Sequence, residues 1–92
     1  MNCYLVCFDI SEDKVRRRVG NYLERYGDRV QYSVFEIAVN RAEELNRLKQ
    51  QIKDLLEPGD DVRFYYLNAE SRRQSHDCND NPVALFPAAI IV

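Results

Sequence analysis

The amino-acid sequence predicts a ferredoxin-like α+β sandwich, in which two helices pack on one face of a four-stranded antiparallel sheet in the order βαββαβ. Two segments of this 92-residue chain have apolar residues at spacings of three and four, which is typical of amphipathic helices. Strand-like segments flank each of them. A break in the alternation of residues 29–39 divides the strand-like segment between the two helices into a pair.

The first strand and the first helix are expected within residues 2–27. Residues 3–8 are nearly all apolar or aromatic, as in a central strand that is covered on both faces. Gly27 is expected to end the helix in the left-handed conformation. Gly20, which costs a helix about 1 kcal/mol relative to alanine, is interpreted as a close-packing point. The apolar stripe of this helix comprises Val15, Val19, Tyr22, Leu23 and Tyr26.

The next two strands come from residues 29–39, where the alternation changes phase. The apolar residues stand at even positions up to Val34 and at odd positions from Phe35 onward. One straight strand cannot bury both sets on one side, so the chain must turn or bulge near Tyr32 to Val34. A second helix and a last strand at residues 62–67 follow, and the expected sheet order is 4-1-3-2. The apolar face of that helix comprises Leu45, Leu48, Ile52, Leu55 and Leu56.

The chain after the ferredoxin-like domain at residues 1–67 divides into two parts. Residues 68–82 are polar and are interpreted as a long loop or a mobile segment, whereas residues 83–92 are strongly apolar. This tail is expected to form a fifth strand or docking tail on a sheet edge of its own chain or of a symmetry mate. The apolar run at residues 3–8 is far too short to span a bilayer, so we expect a cytoplasmic protein without membrane association.

Asp9 is the most conspicuous acid, because it closes the central strand just before the first helix. One interpretation is structural, since Asp-x-Ser is good turn chemistry. The other is a catalytic ligand of Mg²⁺, which keeps several waters and often takes only one or two protein carboxylates. In that case a second chain would supply another carboxylate. His76, the single histidine, lies in the polar segment and is interpreted as an exposed loop residue.

Three consecutive arginines, Arg16, Arg17 and Arg18, stand near the start of the first helix. The net charge of −2 by itself disfavours a nucleic-acid partner, but local clusters decide what binds where. Cations are unfavourable near a helix N-terminus, so their presence indicates an anionic partner, although a solvated helix face is the alternative. Arg29 and Arg63 lie on strands and could extend this patch.

An RNA-recognition module has the same order of helices and strands. Such a module stacks bases on aromatic residues of its central strands, and Tyr4, Phe8 and Phe35 would be available for this. The characteristic signature of alternating glycine and aromatic residues is absent from the third strand, which weakens this alternative.

Two segments, residues 4–19 and 29–36, resemble the opening and the second signature of the small CRISPR-associated endoribonuclease family, the adaptor subunit of the spacer-acquisition integrase. The resemblance extends over residues 1–67. It implies a homodimer in which one Mg²⁺ is shared between the two Asp9 carboxylates. It implies a metal-dependent endonuclease for single-stranded RNA or double-stranded DNA, or else a non-catalytic adaptor that bridges integrase subunits and grips duplex DNA. Positions that the family associates with nuclease activity or nucleic-acid contact are matched by Phe8, Arg16, Arg18, Arg29 and Phe35. Phe8 stands where the family often has tyrosine.

Overall fold

Four strands of the computed structural model, which describes residues 1–86, form one antiparallel sheet in the order β2-β3-β1-β4. The predicted ferredoxin-like fold and its sheet order are therefore confirmed. The elements in chain order are β1 (Asn2–Asp9), α1 (Asp13–Glu24), β2 (Gly27–Gln31), β3 (Val34–Val39), α2 (Ala42–Lys53), β4 (Asp61–Leu67) and α3 (Ala69–Arg73).

Both long helices pack on one face of the sheet, which we call the helix face. The even-numbered residues of β1 and the odd-numbered residues of β3 point toward α1 and α2, as the period of two requires. The rings of Phe8 and Phe35 are buried there, with centroids 6.2 Å apart. They cannot stack on bases, so two of the three aromatic residues of the RNA-recognition alternative are excluded from that role. The buried core of this face comprises Val6, Phe8, Ile10, Val19, Leu23, Phe35, Ile37, Leu48 and Ile52.

The hairpin between β2 and β3 explains the change of phase in the sequence. Its turn lies at Tyr32 and Ser33, as predicted. Arg29 is opposite Phe35 and Gln31 is opposite Val34, so the residue between them bulges out of the ladder.

The two glycines around α1 lie close to neighbouring residues, Gly20 to side chains and Gly27 to backbone. A Cβ at Gly20 would lie 2.9 Å from Nη2 of Arg29 and 3.7 Å from the ring of Phe35, which confirms the predicted packing point. The prediction for Gly27 is wrong, because α1 already ends at Glu24 and Gly27 opens β2 without a left-handed conformation. Its role is steric, since a Cβ there would lie 1.9 Å from the carbonyl oxygen of Glu36.

The other face of the sheet, which we call the open face, carries the odd-numbered residues of β1. Residues 83–86 cross one end of it, where Ala84 and Phe86 are buried against Cys3 and Ala38. These residues are not a strand, contrary to the predicted fifth strand, and residues 87–92 of that prediction lie outside the described residues. The segment 68–82, interpreted as a loop, contains the short helix α3. Within residues 1–86, every helix is too short or too polar to cross a membrane.

Candidate nucleic-acid interface

A cavity of about 290 Å³ opens between the start of α1 and the β2–β3 hairpin. We call it the basic cavity, because three guanidinium groups and a single carboxylate line it. A concave site with this charge attracts anions, and phosphate groups foremost among them. Its lining comprises Phe8, Asp13, Arg16, Arg17, Arg29 and Tyr32.

Arg16 is held by the chain itself. Its Nη1 donates hydrogen bonds to the carbonyl oxygens of Ile10 at 2.6 Å and of Ser11 at 3.1 Å. Its Nη2 forms an ion pair with Asp13. Arg16 therefore fixes the loop between Asp9 and α1, and it contributes charge to the basic cavity from a constrained position.

Arg29 connects the hairpin to α1. Its guanidinium carbon lies 5.2 Å from the centroid of the Phe35 ring, and its Nη1 donates to the carbonyl oxygen of Tyr32 at 3.2 Å. The absence of a side chain at Gly20 makes room for this guanidinium. Both contacts hold the guanidinium at the wall of the basic cavity.

Arg17 and Arg18 point to different places, because successive residues of a helix are about 100° apart around its axis. Arg17 is exposed, lines the basic cavity and forms no ion pair with another residue of the range 1–86. Arg18 lines a separate cavity of about 200 Å³ on α1, together with Tyr22 and Arg25. Arg63 lies on the open face, 2.7 Å from a carboxylate oxygen of Asp61, and does not extend the basic cavity.

Asp9 lies at the end of β1 and is exposed. Its neighbour Phe8 faces the helices, so Asp9 projects from the opposite side of the strand, away from the basic cavity. In the sheet register Asp9 is directly opposite Asp61 of β4. Residues 1–86 contain no group of three or more side chains that could together hold a metal ion. A single chain thus offers one or two carboxylates at this edge, a set that fits Mg²⁺ only as part of a larger site.

The open face also contains an ionisable residue that the sequence did not single out. Glu36 lies in a groove of about 660 Å³ between the sheet and residues 74–84. Burial raises the pKa of its carboxyl group, the backbone N–H of Ala84 opposes this by donating a hydrogen bond, and the charge of Asp28 adds to the rise.

Sequence reasoning missed two residues of these sites. Tyr32 entered only as a marker of the turn, although an aromatic residue at a turn position three residues after Arg29 was a usable signal. Asp61 opens the last strand, and the antiparallel pairing of β4 with β1 brings it beside Asp9. The predicted antiparallel pairing of these strands was a usable signal, because it places the end of β1 beside the start of β4.

The chain has relatives of known family. Residues 1–75 match the family described as CRISPR associated protein Cas2. Over the full length of both chains, the sequence is 32% identical to the CRISPR-associated endoribonuclease Cas2 3 of Synechocystis sp.. It is 41% identical to the CRISPR-associated endoribonuclease Cas2 1 of Chloroflexus aurantiacus, with 86% of each chain covered.

Solved structures have the same fold. A chain of the structure titled "Partial Cas6-RT-Cas1--Cas2 complex" superimposes with a TM-score of 0.84 at 40% identity, and all of both chains is covered. Cas2 of Streptococcus pyogenes superimposes with a TM-score of 0.70 at 31% identity, covering 82% of this chain and 96% of that chain. The chain therefore belongs to the Cas2 family of CRISPR-associated proteins.

Proposed function

We propose that this protein acts in CRISPR adaptation, where it binds nucleic acid through the basic cavity as part of a complex with an integrase subunit. The observation that carries this proposal is the convergence of Arg16, Arg17 and Arg29 on one cavity in a chain of the Cas2 family. The relative found in a complex with Cas1 supports an integrase partner.

The functional unit would be a homodimer formed through the open face. The open face carries no long helix and is covered only in part, by residues 74–86, and an antiparallel sheet with apolar residues there is suited to a partner. Leu5 and Cys7 are half-buried, and Val30 and Tyr65 are 44% and 47% exposed. The test is sedimentation of the parent and of a Leu5→Glu variant, for which we expect a dimer and a monomer; a monomeric parent would contradict the dimer.

In this dimer, Asp9 of each chain would hold one Mg²⁺ between the two subunits. Bound magnesium neutralises phosphate charge and lowers the pKa of a coordinated water. Asp9 is suited to this because it is exposed and the hydrogen bonds and ion pairs of residues 1–86 leave its carboxylate uncommitted. The activity would be that of an endonuclease on single-stranded RNA or double-stranded DNA, as the endoribonuclease names of the relatives support.

A non-catalytic adaptor is the second candidate function, and the position of Asp9 favours it. Within residues 1–86, the residue facing Asp9 across the sheet is another acid, Asp61, and no histidine lies on β1 or β4. The arginines of the basic cavity belong to α1 and β2 and lie on the helix face, the side of β1 opposite to Asp9. Nucleic-acid binding would then proceed without cleavage, and the dimer would space integrase subunits on duplex DNA.

Two variants separate these functions. Asp9→Asn keeps the shape of the side chain and removes its charge, so we expect it to lose Mg²⁺-dependent cleavage of labelled RNA or DNA while it still binds. Arg17→Ala should weaken binding and lower the dependence of log K on log salt by about 0.9 for each phosphate that the variant no longer neutralises. Arg47→Ala, an exposed arginine on α2, is the matched control.

The outcomes distinguish the candidates. Cleavage that Mg²⁺ supports in the parent but not in Asp9→Asn establishes the endonuclease. Spacer integration that persists in Asp9→Asn, without cleavage in the parent, establishes the adaptor. If Arg17→Ala binds like Arg47→Ala with the same salt dependence, the basic cavity is not the binding site.

A further inference from the structure

Tyr32 stands at the rim of the basic cavity with its ring in solvent. At 72% exposed, it has the highest exposed fraction of the large hydrophobic side chains within residues 1–86. It occupies a two-residue hairpin turn, where glycine, asparagine and aspartate are the usual choices. Neither the turn nor the core requires an aromatic ring at this position, so the ring is available for a molecule outside the chain.

The backbone of the turn that carries this ring is fixed. Nη1 of Arg29 donates to the carbonyl oxygen of Tyr32 at 3.2 Å. The backbone N–H of Phe8 donates to the carbonyl oxygen of Ser33 at 3.0 Å. Both carbonyls of the turn are therefore anchored, one to the hairpin's own arginine and one to β1. A ring on an anchored turn loses less entropy on binding than a ring on a mobile loop.

The ring and the cations together have the composition of a single-strand site. Proteins that bind single-stranded nucleic acid combine aromatic rings, on which bases stack, with cations that contact the backbone. Tyr32 and Arg17 line the same cavity and are both exposed. The volume of about 290 Å³ lies at the lower end for ligand cavities, which suits one nucleotide. In a duplex the bases are paired and stacked on each other, so a protein ring at this rim reaches only the backbone.

We propose that the basic cavity holds one unpaired nucleotide of a nucleic-acid strand, with its base stacked on Tyr32 and its phosphate bound by Arg17. The inference rests on the proposed function, because it takes nucleic acid to be the ligand of the basic cavity. It adds that the cavity distinguishes an unpaired strand from a duplex, and it names the side chain that does so.

The test measures fluorescence anisotropy of the full-length protein with three labelled probes of equal length: oligothymidylate, the same backbone with abasic sugars, and a duplex. We expect the parent to bind oligothymidylate about tenfold more tightly than the abasic strand, within the range that one stacked base contributes. Tyr32→Ala should remove this preference, and Tyr32→Phe should keep it, because the ring and not the hydroxyl stacks. Tyr66→Ala, which removes an exposed tyrosine of β4 that is 58% exposed, should behave like the parent.

The result separates this proposal from the proposed function. The stacking role is refuted if the parent binds oligothymidylate and the abasic strand equally, or if Tyr32→Ala retains the preference. This holds even when Arg17→Ala weakens the binding of all three probes and so supports phosphate binding. If Tyr32 instead contacts a protein partner, Tyr32→Ala would likewise retain the preference of the parent for oligothymidylate over the abasic strand. If the parent binds none of the three probes, both proposals fail.

Discussion

Replacing Arg16 by alanine should destabilise the fold much more than replacing its exposed neighbour Arg17. Arg16 donates to the carbonyl oxygens of Ile10 and Ser11 at 2.6 and 3.1 Å and pairs with Asp13. The alanine variant would therefore lack the two hydrogen bonds that Arg16 donates to the loop after β1, whereas Ser11 would keep those that its backbone N–H and hydroxyl donate to Asp60 at 3.3 and 3.4 Å.

The expected loss of unfolding free energy follows from what each of the three groups that contact Arg16 loses in the variant. Ile10 is only 3% exposed, so its carbonyl loses a charged donor with little access to water, a loss of about 2 kcal/mol. Ser11 is exposed, so its carbonyl regains water at little cost, and the exposed partner Asp13 adds at most about 1 kcal/mol. The total is roughly 2 kcal/mol, which lowers the Tm of a domain of this size by about 10 °C.

Urea unfolding followed by far-ultraviolet circular dichroism measures this difference. All variants must be compared at one protomer concentration, because dimerisation would make apparent stability depend on concentration. Arg17→Ala is the matched control, and we expect it to stay within about 0.5 kcal/mol of the parent. Arg16→Lys, which reaches fewer acceptors, should fall between the two. If Arg16→Ala unfolds within about 0.5 kcal/mol of Arg17→Ala, Arg16 does not hold the loop and the reasoning fails.

Three further variants test other parts of the structure by thermal unfolding. Gly27→Ala should lose about 3 kcal/mol, because its Cβ would meet the backbone oxygen of Glu36 at 1.9 Å. Gly20→Ala should lose no stability, since only the movable tip of Arg29 is closer than 3.0 Å and alanine favours the helix by about 1 kcal/mol; equal losses at both glycines would refute the distinction. At neutral pH the Tm of Glu36→Gln should exceed that of the parent by no more than about 4 °C. Near pH 3.5 the two proteins should have the same Tm. Burial raises the pKa of Glu36, so its ionisation destabilises the fold as pH rises through that raised value. A lower Tm for this variant at neutral pH would contradict the argument.

The fold was predictable because period and phase are local properties of the sequence. The change of phase at Tyr32 to Val34 gave the hairpin, and with it the strand count and the sheet order. The role of Gly27 was not predictable, because the clash that requires glycine comes from Glu36 on the neighbouring strand. The path of residues 83–86 was likewise unpredictable, since an apolar segment can lie along a sheet edge or across a sheet face.

The candidate site was predicted only in part, because sequence adjacency is not spatial adjacency. Arg16, Arg17 and Arg18 form one run in the sequence, yet they contact a loop, the basic cavity and a second cavity. Arg29 joins two of them from a distant strand. The direction of each guanidinium depends on acceptors, such as the carbonyl of Ile10, that only the folded chain presents.

The alternation of side chains along β1 places two candidate sites on opposite faces of the sheet. Phe8 and Asp9 are consecutive in the chain, yet Phe8 lines the basic cavity and Asp9 lies on the opposite side of the sheet. A homologue without Asp9 would keep the basic cavity intact, and a homologue without Arg17 would keep Asp9 on the opposite face. The two sites can therefore change independently, although a single peptide bond joins Phe8 of the cavity to Asp9 on the opposite face.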